Sequence, residues 1–206
     1  FTPHIPSSLF ISEVADPSNT VYEGRFVELY NAGPSNIDLA AGAWHLFRQS
    51  DGTPVSANIA LTGTVIAGAT YVVGGAGFAS MYPGVPAQTN DAINGDGNDG
   101  YFLYSGGNHL YGILEDAYGV LDQNGTGKAW YYADRRAVRN NTVTGGNPTW
   151  TASEWTIPAS ANSPDMNPGY HPDSALVINP PTNGTVTTTP EAVAAAGKTV
   201  TITATP

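Results

Sequence analysis

Cysteine is absent from all 206 residues, which removes disulfides, thiolate nucleophiles and cysteine-type zinc sites together. Charge is scarce as well. Asp, Glu, Lys and Arg make up 12% of the chain, about half the share usual in a soluble domain. Cations are the scarcest, seven Lys plus Arg against seventeen Asp plus Glu, for a net charge of −10. Nucleic-acid phosphates are gripped mainly by Lys and Arg that displace counterions, so no nucleic-acid partner is expected. No apolar run approaches the ~20 residues that a membrane-spanning helix needs, and no membrane insertion is expected. No basic-plus-apolar leader opens the chain; Phe1-Thr2-Pro3-His4 reads as the trimmed start of an exported protein.

What replaces charge is 24 Gly and 16 Pro, with many Thr, Asn and Ser, residues that punctuate turns rather than build helices. A helical bundle is excluded. A chain of this length can bury roughly 70% of its unfolded surface, so one large domain can hold a core without staples.

Short apolar runs between turn residues predict strands over residues 9–14 (LFISEV), 25–31 (RFVELYN), 43–48 (AWHLFR), 59–61, 64–66, 70–73 (TYVV), 100–104 (GYFLY) and 110–115 (LYGILE), with weaker ones over 129–132 and 135–139. In the second, Val27 and Leu29 fall on one face and Phe26, Glu28 and Tyr30 on the other. Ser105-Gly106-Gly107-Asn108 signals a hairpin, and helical turns are expected only at 79–82 and 192–196. Strands at this spacing, with no alternating helices, point to an all-β sandwich or barrel. The first 157 residues form one domain by this reading. Residues 158–173, with Pro158, Pro164, Pro168 and Pro172 among Ser, Ala, Asn and Asp, read as a linker. Residues 174–206 carry β segments at 175–179, 184–188 and 199–203, the last two as antiparallel partners. They are too few for a core of their own.

The segment 24–54, GRFVELYNAGPSNIDLAAGAWHLFRQSDGTP, resembles the lamin tail domain family. The resemblance rests on the order of Ser12-Glu13-Val14, Val27-Glu28-Leu29-Tyr30-Asn31, Asp38-Leu39, Gly42-Ala43-Trp44-His45-Leu46 and Ala67-Gly68 before Tyr71-Val72-Val73. It continues with Asn94-Gly95-Asp96 before Tyr101–Tyr104, Arg135–Arg139 and Ser153-Glu154-Trp155, and covers roughly three quarters of the chain by this ordered reading. Two segments, 76–88 and 116–128, are longer than the family's usual loops. The resemblance implies an immunoglobulin-like β-sandwich and a non-catalytic role as an accessory module of a secreted or surface protein in bacteria. It also implies a packing role for Trp44. The tail from 178 resembles the start of a bacterial surface repeat.

Several residues carry possible chemistry. Glu13 and Glu28 fall on neighbouring strands, where paired carboxylates could serve glycoside hydrolysis; as members of strand motifs they would instead bond backbone or Arg. Glu115 and Asp116 complete the carboxylates that a hydrolase reading needs. Asp96, Asn98 and Asp99, with Asp91 nearby, alternate oxygen ligands as a calcium loop does, though a tight turn explains the same residues. Calcium is the single cofactor considered. His4, His45, His109 and His171 show no zinc-like spacing. Trp130, Tyr132 and Trp150 could form an aromatic platform for sugars, or could belong to the core. Arg135, Arg136 and Arg139 are expected to pair with carboxylates. The expected function is therefore a non-catalytic extracellular structural or binding module, with neighbouring domains or cell-surface proteins and glycans as partners. A carbohydrate-binding module is the first alternative and a hydrolase the second.

Overall fold

Period-two alternation decides the architecture. Val27 and Leu29 bury inward with Leu9, Ile11 and Val14, while Phe26 packs on the opposite side of the same sheet. The computed structural model describes residues 6–20, 23–54 and 56–172, and the strands 185–189 and 201–205 as backbone. In chain order the elements are β1 Leu9–Asp16, β2 Phe26–Asn31, β3 Ile37–Asp38, β4 His45–Gln49, β5 Ser56–Ala60, β6 Thr64–Val65 and β7 Thr70–Gly74. There follow α1 Phe78–Met81, β8 Ala87–Thr89, β9 Gly100–Ser105, β10 Ile113–Tyr118, β11 Arg135–Arg139, β12 Trp155–Thr156, β13 Thr185–Thr189 and β14 Thr201–Thr205.

Two main sheets form an all-β sandwich. One has six strands in the order β12-β11-β1-β2-β7-β8, and the other has four in the order β10-β9-β4-β5. Pairing is antiparallel throughout the two sheets except for β7 with β8. Their inner faces share one core: Leu9, Ile11, Val27 and Val73 from the first meet Leu46, Ile59, Tyr101, Leu103 and Tyr118 from the second. Trp44 belongs to this core and is buried. A short ribbon of β3 and β6 lies beside it.

Three expectations need correction. Residues 129–132 form no strand but a coil that closes one end of the sandwich, held by Tyr132 N–H to the Gly97 carbonyl at 2.9 Å. The strand expected over 110–115 begins only at Ile113 and runs to Tyr118, because residues 108–112 turn back on Asn108, whose carbonyl accepts the N–H of both Tyr111 and Gly112. Asp116 therefore lies in a strand, not in an inserted loop.

The stretch read as a linker is packed as far as it is described. Residues 158–172 lie as a strap on the outer face of the six-stranded sheet. Ala161 and Met166 join Ala15, Phe26, Val72, Phe78 and Tyr82 in a second apolar cluster. Its 3-10 turn, Ser163–Asp165, is closed by a capping box in which Asp165 accepts the Asn162 N–H at 2.8 Å. The Asp16–Asn19 turn grips it. Ser18 N–H donates to the Ala161 carbonyl at 3.0 Å, and Asn19 and Ser163 exchange two hydrogen bonds. Few apolar residues suffice here because the strap borrows the sheet's own apolar surface. β13 and β14 pair antiparallel, Thr185 opposite Thr205, as expected for the tail. The segments at 175–179 and 192–196, and His4, lie outside the described residues.

Candidate functional site

Six carboxylates are buried among the described residues: Glu13, Asp16, Glu28, Asp99, Glu115 and Asp116. Asp116 on β10 is fully buried and stitches the two sheets together along one edge. β11 pairs with β1 only from Glu13 onward, which leaves the Ile11 N–H free on that side; Asp116 Oδ2 accepts it at 2.7 Å. The same carboxylate takes Asn147 N–H at 2.8 Å and Arg139 Nη1 at 3.0 Å. Arg139 extends to Glu154 at 2.6 Å, with its guanidinium 4.8 Å from the Trp155 ring. Burial raises the Asp116 carboxyl, and the Arg139 charge with the two backbone donors draws it back. Glu115 bonds Ser105.

Glu13 and Glu28 do face one another as cross-strand partners, but both are buried under the strap. Glu28 accepts the Ser12 hydroxyl and the Gly169 N–H, each at 2.7 Å. Arg136 stands 3.6 Å from Glu13, an ion-pair contact too long for a hydrogen bond. Burial pushes Glu13 up to about 8 and lifts Glu28 well above the carboxylate range, the Glu13 charge adding to the rise. Two carboxylates sealed beneath fifteen residues of chain have no room for a sugar, so the pair expected to face each other does so without an open cleft.

The calcium-loop residues do not pool their oxygens. Asp99 spends Oδ2 on Arg48 at 2.7 Å and Oδ1 on the Asp51 N–H at 2.9 Å. Asn98 turns its amide to Asp51 at 2.6 Å. Asp96 is exposed on the rim of a polar cleft of about 420 Å³ that Arg25, Arg48 and Asp51 also line. Among the described residues no group of three His, Asp or Glu side chains is placed to hold a metal ion. Gly97, at φ 98°, sits so close to the Ala133 backbone that a Cβ would meet it at 2.1 Å. The glycines of this loop thus serve its contact with the coil at 129–134. Among the histidines, His45 bonds the Ala43 carbonyl, His109 stacks on Phe47 and His171 on Tyr30.

The aromatic platform is a correction too. Trp130 and Tyr132 are buried at 2% and 0% exposure, and Trp150 is half-buried against the core. Trp130 and Tyr132 set their rings edge-on to Tyr118, and a Cβ at Gly125 would strike the Trp130 ring at 2.5 Å. The two rings plug the end of the sandwich, so the three residues share no exposed flat face.

One open apolar surface remains, and the sequence did not point to it. Of the six large apolar side chains exposed among the described residues, five are Leu110, Tyr111, Ile113, Val120 and Leu121, with Tyr111 at 83%. All five lie on or beside β10, the edge strand of the four-stranded sheet: Ile113 opens it, Leu110 and Tyr111 precede it, and Val120 and Leu121 follow it. That sheet's outer face carries a cluster of its own, Phe47, Phe102, Tyr104 and Ala117 with Leu114. Leu121 separates two grooves on it. One, about 270 Å³, is lined by Phe102, Leu114, Val120 and Trp150. The other, about 360 Å³, is lined by Phe47, Gln49, Tyr104, His109 and Asp122. Gln49 and Asp122 brace the second by two mutual hydrogen bonds at 2.8 and 2.7 Å.

Compared with known proteins, the chain matches no family model and no curated sequence.

Proposed function

We propose that this chain is a non-catalytic binding or scaffold module of a larger extracellular protein, of lamin-tail type, and that it works through the β10 edge of its four-stranded sheet. The observation that carries the reading is the gathering of exposed apolar side chains on and beside the edge strand β10, from Leu110 to Leu121. A contiguous apolar patch on an otherwise polar surface marks an interaction site, and its aromatic member supplies contact area at low entropic cost. Supporting it, Glu13, Glu28 and Asp116 are consumed by internal networks. The ordered motifs from Ser12-Glu13-Val14 to Ser153-Glu154-Trp155 support the lamin-tail, immunoglobulin-like assignment. A composition low in charge and rich in Gly and Pro agrees with an exported adhesion or spacing module.

The test is adhesion. Beads carrying the chain are presented to purified matrix proteins and to neutral glycans, alongside beads carrying Leu110→Ser/Tyr111→Ser/Ile113→Ser. Capture of a protein by the parent chain, lost in the variant at unchanged melting temperature, is the expected result. Capture that survives in the variant moves the site elsewhere, and glycan capture alone favours the carbohydrate-binding alternative. Turnover of a glycan or phosphoester by the purified chain, abolished by Glu13→Gln, overturns the non-catalytic reading.

A further inference from the structure

The Glu13–Glu28 pair has an arrangement that packing alone does not require. β1 bulges between Ile11 and Glu13, and the extra residue, Ser12, turns its hydroxyl onto Glu28. The bulge brings Glu13 and Glu28 directly opposite each other on the outer face, at 2% and 1% exposure. Like charges directly opposite on paired strands repel, and burial leaves little water to screen them.

Each element around the pair contributes a group. From the strap, Gly169 N–H donates to Glu28 at 2.7 Å and Tyr170 N–H to the same carboxylate. From β11, Arg136 faces Glu13 at 3.6 Å and at the same time bonds Asn167 of the strap. Beyond α1, the Tyr82 phenol feels the Glu13 charge and donates to the Gly24 carbonyl. β7 presents apolar Val72 opposite Glu28. Elsewhere on the strap, His171 stacks on Tyr30 of β2 with ring centroids 3.9 Å apart, and Asp165 is spent on its own turn. Arg136 is therefore the cation beside the pair, in contact with Glu13, and its side chain is 27% exposed. One partly solvated guanidinium does not compensate two buried negative charges, so the pair keeps a proton while the strap is closed. The raised values of both groups agree with this.

We propose that Glu13 and Glu28 form a proton-operated clasp that holds residues 161–172 on the six-stranded sheet and releases them when both carboxylates ionise. Ionisation of the second carboxylate admits water where the covering is thinnest. That covering is the strap, which binds the pair through backbone N–H groups and not through a countercharge of its own. Release uncovers Phe26, Val72, Phe78 and Tyr82, a second apolar face for which the strap is the built-in occupant.

The experiment is hydrogen exchange on the intact chain between pH 6 and pH 9, corrected for intrinsic rates. The Gly169 and Tyr170 amides are expected to lose protection about tenfold per pH unit once the pair loses its proton, as release coupled to one proton requires. The Ile11 and Asn147 amides, bound to Asp116, keep theirs. Glu13→Gln removes the pH response and leaves the strap protected. Should that variant fail to fold, Arg136→Gln decides, because loss of the cation shifts release to higher pH. Equal protection at both pH values, a loss shared by Ile11 and Asn147, an unchanged response in Glu13→Gln or an unshifted midpoint in Arg136→Gln would each overturn the clasp.

Discussion

The two sheets of the sandwich share a core but cover their outer faces by different means. The six-stranded sheet has its outer face roofed by α1 and the strap, with two carboxylates sealed beneath. The four-stranded sheet buries Phe47, Phe102, Tyr104 and Ala117 on its outer face but leaves Tyr111, Ile113, Val120 and Leu121 exposed on and beside its edge strand β10. Both faces began as alternating strands with apolar residues on each side. The difference lies in what the chain lays over them. A polar, proline-punctuated segment closes one face through hydrogen bonds to the sheet and to the Asp16–Asn19 turn. The loops at 106–112 and 119–122 cover the other with side chains instead, His109 stacking on Phe47, and their own apolar residues stay exposed. Closure of the first face thus depends on backbone donors meeting partners, and that of the second on side chains alone.

The sharpest break in that contrast is expected at Arg139. Arg139→Met strands Asp116 as a lone buried charge between the sheets, and removing one member of a buried pair typically costs about 3–5 kcal/mol; urea unfolding measures it. Next is Met166→Ala in the strap. If the strap is part of the covered face, the loss is about 2 kcal/mol, the lower end for such truncations. An unchanged urea midpoint would return the segment to the status of a linker.

Smaller per unit, but diagnostic in sign, is the pH dependence. Glu13 rises on folding from its ordinary 4.5 to about 8. Its stabilising contribution is fully present below about pH 4.5 and is lost as pH rises through about 8. Stability is expected to fall across that window by up to about 1.4 kcal/mol per pH unit, with a flatter profile in Glu13→Gln. Stability that climbs over the same window in the parent chain contradicts the assignment. The smallest effect belongs to the exposed residues beside β10. Tyr111→Ser changes stability by no more than about 0.5 kcal/mol, as for surface sites in general, and a larger loss by thermal melting would mean that this edge is structural.

Much of the sandwich was legible. Val27 and Leu29 against Phe26, Glu28 and Tyr30 could be placed on opposite faces because a strand has only two sides. The antiparallel pairing of β13 with β14 and the turn at α1 were legible for similarly local reasons, whereas the burial of Trp44 was expected from the resemblance. The candidate site was not. Trp130, Tyr132 and Trp150 have the composition of a sugar platform, and composition cannot tell a ring stacked on solvent from one closing a core. Asp99 has the spacing of a metal ligand, but its partner Arg48 is fifty-one positions away. The strap misled because a linker and a docked segment share the same Pro, Ser and Asn. The signal in hand was Asn162-Ser163-Pro164-Asp165, a capping box with proline in the first turn.

By itself the sequence determined the class of structure: local alternation and turn chemistry make strands and break helices whatever the chain later meets. It also determined the poverty of cations and thiols, and with it the exclusion of thiolate chemistry. Only the tertiary structure decided which carboxylates are sealed from water, which aromatics are core and which apolar side chains stay exposed. Those outcomes depend on contacts such as Ile11 with Asp116 and Glu28 with Gly169, separated by 105 and 141 positions. Burial and ionisation are set by such partners, and no local pattern contains them.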